Sequence, residues 1–271
     1  MSGKIVKQYY ARTVTQEWRR LARDAYHRLE FDTTMRFVRR HFPMRGLVLD
    51  AGGGPGRYTI ALAKAGYDVV LHDLVPQNLS FARNKIRRAG MAKRITALVE
   101  GSITDLREFE SNSFDAVICL GGPLSHVLEP KRIDRAVMEL IRVAKKGAPI
   151  LVSVMSRLAI LRTQLLEFQN EIGLPVFKRG RDDGHYPGGY GFTACRFFLP
   201  EELLGFFTGK DVDIMEMAGL EGLGSHCEAA INKLSRNKKR WKVWLDTHHR
   251  TCTHPSVVGM SEHMLLACRK R

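Results

Sequence analysis

Val48-Leu49-Asp50-Ala51-Gly52-Gly53-Gly54-Pro55-Gly56-Arg57-Tyr58-Thr59 is the stretch that decides the fold. An apolar run from Leu47 ends in the acid Asp50 and breaks into glycines, and from Arg57 apolar residues (Tyr58, Ile60, Ala61, Leu62, Ala65) recur at helical spacing. That order predicts a buried strand, a tight turn and a helix whose N-terminus points into a ligand site. Glycines at 52, 54 and 56 let the backbone approach a ligand more closely than any Cβ would allow. The free N–H groups at the helix start favour an anionic group. A dinucleotide fingerprint, G-x-G-x-x-G, would need glycine at 57, where the chain has arginine.

Outward from this turn the pattern repeats. Strands are expected at 68–73, 95–99, 114–120 and 148–154, with helices beginning at Pro76 and spanning 133–143. This alternation predicts a doubly wound α/β fold, a mostly parallel seven-stranded sheet with helices on both faces. The last two strands are 211–217 and 262–269, paired with each other. In such sheets ligands bind at the carboxyl ends of the strands, where the glycine turn, Asp73, Ser102 and Leu120 converge. Asp73 lies roughly twenty residues beyond the glycines, the spacing at which an acid reaches ribose hydroxyls. A carboxylate there accepts from both hydroxyls.

Two segments flank this core. Residues 1–45 form a helical flap, with Trp18, Leu21, Ala25 and Leu29 at near-helical spacing, laid against the sheet edge. Tyr9, Tyr10 and Trp18 either reach the ligand or anchor the flap. The remaining domain, 46–271, carries a cap at 157–199, after the fifth strand. The cap holds a helix and then a glycine- and aromatic-rich stretch, 179–192, without regular structure. From there His185, Tyr186 and Tyr190 are candidate substrate contacts, and Arg196 suits an anionic group.

The chain has 271 residues and a net charge of +15. Such a balance fits RNA or an anionic small substrate, or simply a solvated basic surface. Trp241, inside the run Arg236 to Lys242, either stacks on a base or packs an amphipathic helix. The five cysteines form no C-x-x-C pair, which suits a reduced, cytoplasmic setting. No apolar run approaches the ~18 residues needed to span a bilayer, and Met1-Ser2-Gly3-Lys4 lacks the apolar core of a signal peptide. His248-His249-x-x-Cys252-x-His254 matches no standard zinc spacing, so no metal is expected.

The pattern Asp50-x-Gly52-x-Gly54-x-Gly56 resembles motif I of the class I S-adenosylmethionine (SAM) methyltransferases. Glu17-Trp18-x-Arg20-Leu21, Gly191-Phe192-Thr193 and Ser261-Glu262-His263-Met264-Leu265 resemble a largely archaeal subgroup of them. The resemblance implies SAM as cofactor, S-adenosylhomocysteine as product, and a cofactor site of Asp50, Gly52, Gly53, Gly54, Gly56, Asp73, Leu74, Ser102, Ile103 and Leu120, with Tyr10 and Trp18 from the flap. Residues after the third strand line the adenine in that family. Position 102 is often aspartate there, and here it is serine. The fourth strand ends where the methyl group sits. At that point Gly121-Gly122-Pro123-Leu124 replaces the Asn/Asp-Pro-Pro-aromatic motif of DNA and glutamine amino-methyltransferases, which argues against those substrates. His126 is the candidate general base, with Tyr186 and Tyr190 as further candidate catalytic residues; the duller role for His126 is a structural hydrogen bond. A small molecule is the favoured acceptor, RNA the alternative, and a SAM-binding protein without catalysis the third reading.

Overall fold

The computed structural model describes residues 2–188 and 192–271. Its elements in order are α1 (Ser2–Arg20), α2 (Ala25–His41), β1 (Leu47–Ala51), α3 (Arg57–Lys64), β2 (Asp68–Asp73), α4 (Pro76–Arg88), β3 (Ile95–Glu100), β4 (Ala116–Cys119), α5 (Pro130–Val143) and β5 (Pro149–Met155). Then come α6 (Arg157–Glu167), α7 (Pro175–Asp183), the short strands β6 (His185–Tyr186) and β7 (Cys195–Arg196), α8 (Pro200–Phe207), β8 (Val212–Gly219), α9 (Glu228–Ser235), α10 (Lys238–Thr251), α11 (Pro255–Val258) and β9 (His263–Lys270).

Seven strands form one sheet in the order β3-β2-β1-β4-β5-β9-β8. The five alternating strands pair in parallel, and only β9 runs against both its neighbours. Alternate side chains of each strand feed opposite layers. Leu49, Val117, Ile150, Val152 and Leu266 pack against α5 and α8 on one face. Val48, Ala116, Leu151, Ala218 and Ala267 pack against α2 and α3 on the other. Helix α5 shows why: Ile133, Ala136, Val137, Leu140 and Ile141 are among its buried residues, the i, i+3, i+4 stripe of a helix covering a sheet. Fully burying one such side chain stabilises the fold by roughly 1.5–3 kcal/mol.

The N-terminal segment differs from the expected flap. It breaks at Leu21–Asp24, where the Asp24 side chain caps α2 by accepting from the His27 amide. Met35, Phe37 and Val38 of α2 are buried against the sheet, so α2 belongs to a face layer rather than to the sheet edge. Only α1 remains free to cross the strand ends. The cap is also more regular than the glycine count suggests. Helix α7 runs through Asp183, Gly184 ends it in the left-handed region (φ 75°), and β6 pairs antiparallel with β7. Trp241 packs with Tyr26, Leu29 and Ile231, which is helix packing, not a platform for a base.

Candidate functional site

The glycine turn is pinned to the neighbouring strand: the Gly52 amide donates to the His72 carbonyl at 2.7 Å and the Gly53 amide to the same oxygen at 3.2 Å. A Cβ on Gly53 would run into the Asp50 carboxyl and Leu71, so the turn closes onto β1 only without a side chain there. Gly54 sits at φ +56° and donates its amide to Asp73 Oδ2 at 2.8 Å. Asp73 Oδ1 accepts from the Val75 amide (2.9 Å) and Asn78 Nδ2 (3.0 Å). The last residue of β2 is thereby tied to both the glycine turn and the start of α4.

These elements border one cavity at the carboxyl ends of β1, β2, β3 and β4. Gly52, Gly53, Gly54, Asp73, Leu74, Ser102, Ile103, Leu120, Tyr10 and His126 all line it, so ten of the residues singled out in the sequence share one space. Asp50 lies just beneath, fully buried under Gly53. Gly56 is set back as the left-handed N-cap of α3 and is not among the lining residues.

Helix α1 roofs the cavity. Tyr10 Oη lies 2.7 Å from His126 Nε2, and His126 Nδ1 lies 3.0 Å from the Ala194 carbonyl. A carbonyl only accepts, so Nδ1 carries the proton and Nε2 takes the Tyr10 hydroxyl hydrogen. Phe192 of the cap meets both Tyr9 and His126 edge-on or tilted, with ring centroids 5.6 and 5.9 Å apart. Burial lowers the His126 pKa to about 4, against the Ala194 bond, and burial raises Tyr10 well above its ordinary value. Both are neutral near pH 7. The expected base thus has its free nitrogen already engaged by a flap tyrosine.

Two of the expected site residues fall elsewhere, and a third is not among the described residues. Trp18 does not reach the cavity: its ring packs on Phe81, with the Arg57 guanidinium 4.1 Å over it, while Arg57 Nε donates to the Trp18 carbonyl. It anchors α1, because α3 and α4 supply the surface its large ring covers. Tyr186 is buried with Cys195 and Phe197 inside the cap and is not among the lining residues. The short β6–β7 ladder pairs Tyr186 with Cys195, which seats its ring in the cap's own core. Tyr190 lies outside the described residues.

The sequence reading missed Glu17 and Arg20, both of which line the cavity. Arg20 faces Gly121, 3.6 Å from where a Cβ would stand. It binds both oxygens of Glu30 and approaches Glu17 at 3.4 Å. In the sequence both Glu17 and Arg20 stand in the Glu17-Trp18-x-Arg20-Leu21 motif, with no role assigned to either. The available signal was that α1 ends there, at the strand ends, with an arginine that cannot be left buried without a partner.

A family model described as a methyltransferase domain matches residues 48–147. A ubiquinone biosynthesis O-methyltransferase from Methylococcus capsulatus is 30% identical over 192 residues, covering 70% of this chain and 72% of that protein. Among solved structures, a SAM-dependent methyltransferase from Methanosarcina mazei superposes with a TM-score of 0.61 at 17% identity, covering 86% of this chain and 96% of that one. The 1,6-didemethyltoxoflavin-N1-methyltransferase of Burkholderia thailandensis, solved with its substrate and S-adenosylhomocysteine, gives 0.59 at 14% identity over 98% of this chain and 88% of that one. These last two show the fold. The chain belongs to the class I SAM-dependent methyltransferases. It is an enzyme of that family, with SAM as its methyl donor.

The cavity suits this ligand on electrostatic grounds. Asp50 Oδ1 is buried without a hydrogen-bond partner, and burial raises the Asp50 pKa to about 7, with Asp73 nearby adding to the rise. Burial also raises Asp73. Two carboxylates thus meet under the turn, and neither has an ion pair among the described residues. A cationic ligand offsets that field, whereas a pyrophosphate would add to it. No helix among the described residues is long and apolar enough to cross a membrane.

Proposed function

We propose that this enzyme methylates a small molecule bound beneath α1, beside Tyr10 and His126. The observation that carries this reading is the α1 roof over the cavity, fastened to the wall by the Tyr10–His126 hydrogen bond, with Phe192 packed on Tyr9 and His126. Such a roof narrows access and leaves little room for a macromolecule. The relative from Methylococcus, named for ubiquinone biosynthesis, supports a small acceptor.

SAM, when bound, supplies a methyl group activated by its sulfonium. The residues of this chain bind and orient. Asp73 accepts from a ribose hydroxyl through the one lone-pair site of Oδ2 that Gly54 leaves open, in a carboxylate already anchored by three donors. Leu74 and Ile103 pack the adenine, and Ser102 offers one polar contact at its edge. The Gly52–Gly54 backbone and Leu120 flank the amino-acid end. Asp50 places negative charge behind the turn, Glu17 faces the ammonium, and Arg20 pairs with the carboxylate. At the acceptor end, Tyr10 Oη takes the acceptor's proton while passing its own to His126 Nε2. In this scheme α1 is the flap, and residues 157–199 form the cap that sets acceptor choice.

The test is transfer of labelled methyl from SAM by the purified protein into an extract split into RNA, protein and metabolite pools. Label in the metabolite pool, resistant to nuclease, supports the reading. Nuclease-sensitive label in RNA refutes it and gives the +15 charge a role in tracking phosphates.

A further inference from the structure

Behind Arg20, on the side away from the cavity, lies a buried set of charges that the scheme above does not use. Glu30 of α2 is 2% exposed and Glu221, just after β8, is 3% exposed. His263, the first residue of β9, stands between them: its Nδ1 is 2.8 Å from Glu221 Oε1 and 3.6 Å from Glu30 Oε2. Glu221 Oε2 also accepts from Ser261 Oγ (2.8 Å) and the His263 amide (2.9 Å), so the carboxylate is fixed from several sides. His263 is opposite Met155 in the sheet register, which sets this group at the same strand ends as the cavity. The chain of contacts is therefore Arg20–Glu30–His263–Glu221, running from the cavity wall through α1, α2 and the β8–β9 side of the sheet.

The arrangement has a specific electrostatic consequence. Arg20 alone against Glu30 would be a neutralised pair, with its guanidinium turned inward. Sharing Glu30 with a second cation, itself held by Glu221, weakens that neutralisation and leaves Arg20 able to attract an anion from the cavity. Burial opposes the His263 charge, but Glu30 and Glu221 outweigh it and raise the His263 pKa to about 9. The second cation is present near pH 7.

We propose that Glu30, His263 and Glu221 are positioning residues that orient Arg20 and preserve its charge for the carboxylate of SAM. This rests on the reading that Arg20 takes that carboxylate. It assigns to His263, in sequence part of the Ser261-Glu262-His263-Met264-Leu265 motif without a role, a part in cofactor recognition without contact.

Calorimetric titration of S-adenosylhomocysteine and of 5′-methylthioadenosine, which lacks the ammonium and carboxylate, into wild type, Arg20→Ala, His263→Gln and the double variant separates the possibilities. His263→Gln is expected to weaken S-adenosylhomocysteine about tenfold, the scale of coupling between contacting charged residues, and to leave methylthioadenosine unchanged. In the Arg20→Ala background it should have no further effect. Equal loss for both ligands, wild-type affinity for S-adenosylhomocysteine, or an effect that persists without Arg20 would overturn the proposal. Wild-type affinity in Arg20→Ala would instead refute the carboxylate assignment itself. If His263→Gln does not melt cooperatively, Glu221→Gln, which removes the partner that holds the His263 charge, is put through the same comparison with the same expectations.

Discussion

Replacing Asp50 by asparagine should make the ligand-free protein more stable at pH 8, although it removes a charge from the motif that defines the site. Asp50 is fully buried; Oδ2 accepts from Thr59 Oγ1 at 2.6 Å, and Oδ1 has no partner. Burial lifts its pKa from 3.8 to about 7. A carboxyl whose folded pKa is raised favours folding fully below its unfolded value, and that favour is lost as pH rises through the folded one. The raised value therefore costs ~4 kcal/mol at pH 8, where Asp50 is held ionised, and ~2 kcal/mol at pH 5, where folding takes up a proton, at about 1.4 kcal/mol per pH unit. Asparagine keeps the shape and the acceptor for Thr59 while removing the charge, so the variant recovers most of these amounts. Thermal unfolding without ligand at pH 5 and pH 8 measures both. The variant should melt higher at both, with the larger gain at pH 8. Equal or lower stability at pH 8 would mean that Asp50 is not an unpaired buried charge, and the electrostatic match to a cationic ligand would fall with it. The same variant should bind S-adenosylhomocysteine more weakly, since the charge is retained for the ligand rather than for the fold.

Other consequences follow from the same geometry. His126→Gln should leave S-adenosylhomocysteine affinity near wild type and lower kcat by about 10²-fold or more, the usual worth of a proton acceptor; an unchanged rate would leave His126 with only its bond to Ala194. Tyr10→Phe should lower kcat to a similar degree, and the effects of the two changes should not add, because they act on one proton path; additive losses would separate them. Gly184→Ala should loosen the cap, because Gly184 sits at φ +75° and a Cβ would strike the Phe197 carbonyl and Arg157. The left-handed backbone alone costs ~1–3 kcal/mol. Faster proteolysis within 175–198, with the sheet's melting retained, is the expected sign; wild-type resistance would contradict it.

Much of the architecture was legible because it rests on local pattern. Four of the five parallel strands lead into a helix and carry their own periodicity, and α4 begins at the expected Pro76, whereas α5 begins at Pro130 rather than at 133. The N-terminal helices were harder. Their apolar stripes announce helices but not the surfaces they cover, and α2 joins a face layer only because the sheet leaves Val48, Ala116 and Leu151 open to it. Site residues on the turn and the strand ends were readable, since topology alone gathers them. Trp18 and Tyr186 were misplaced because a large ring is equally suited to a cleft or a packing anchor, and only the neighbours, Phe81 and Arg57 or Cys195 and Phe197, decide. Arg20 and His263 were missed because their partners lie 10 residues away on another helix and 42 residues away in the chain. No helix or strand periodicity links such pairs.

The most direct test of the account is a calorimetric titration of S-adenosylhomocysteine into wild type and Asp73→Ala, side by side, with melting curves to confirm both are folded. One site is expected in the wild type. In the variant, loss of the charge-assisted hydrogen bond to the ribose, at about 1.5–3 kcal/mol, should weaken binding about ten- to a hundredfold. Equal affinity in the two proteins would place the ribose, and with it the cofactor, somewhere other than the cavity over Gly52–Gly54.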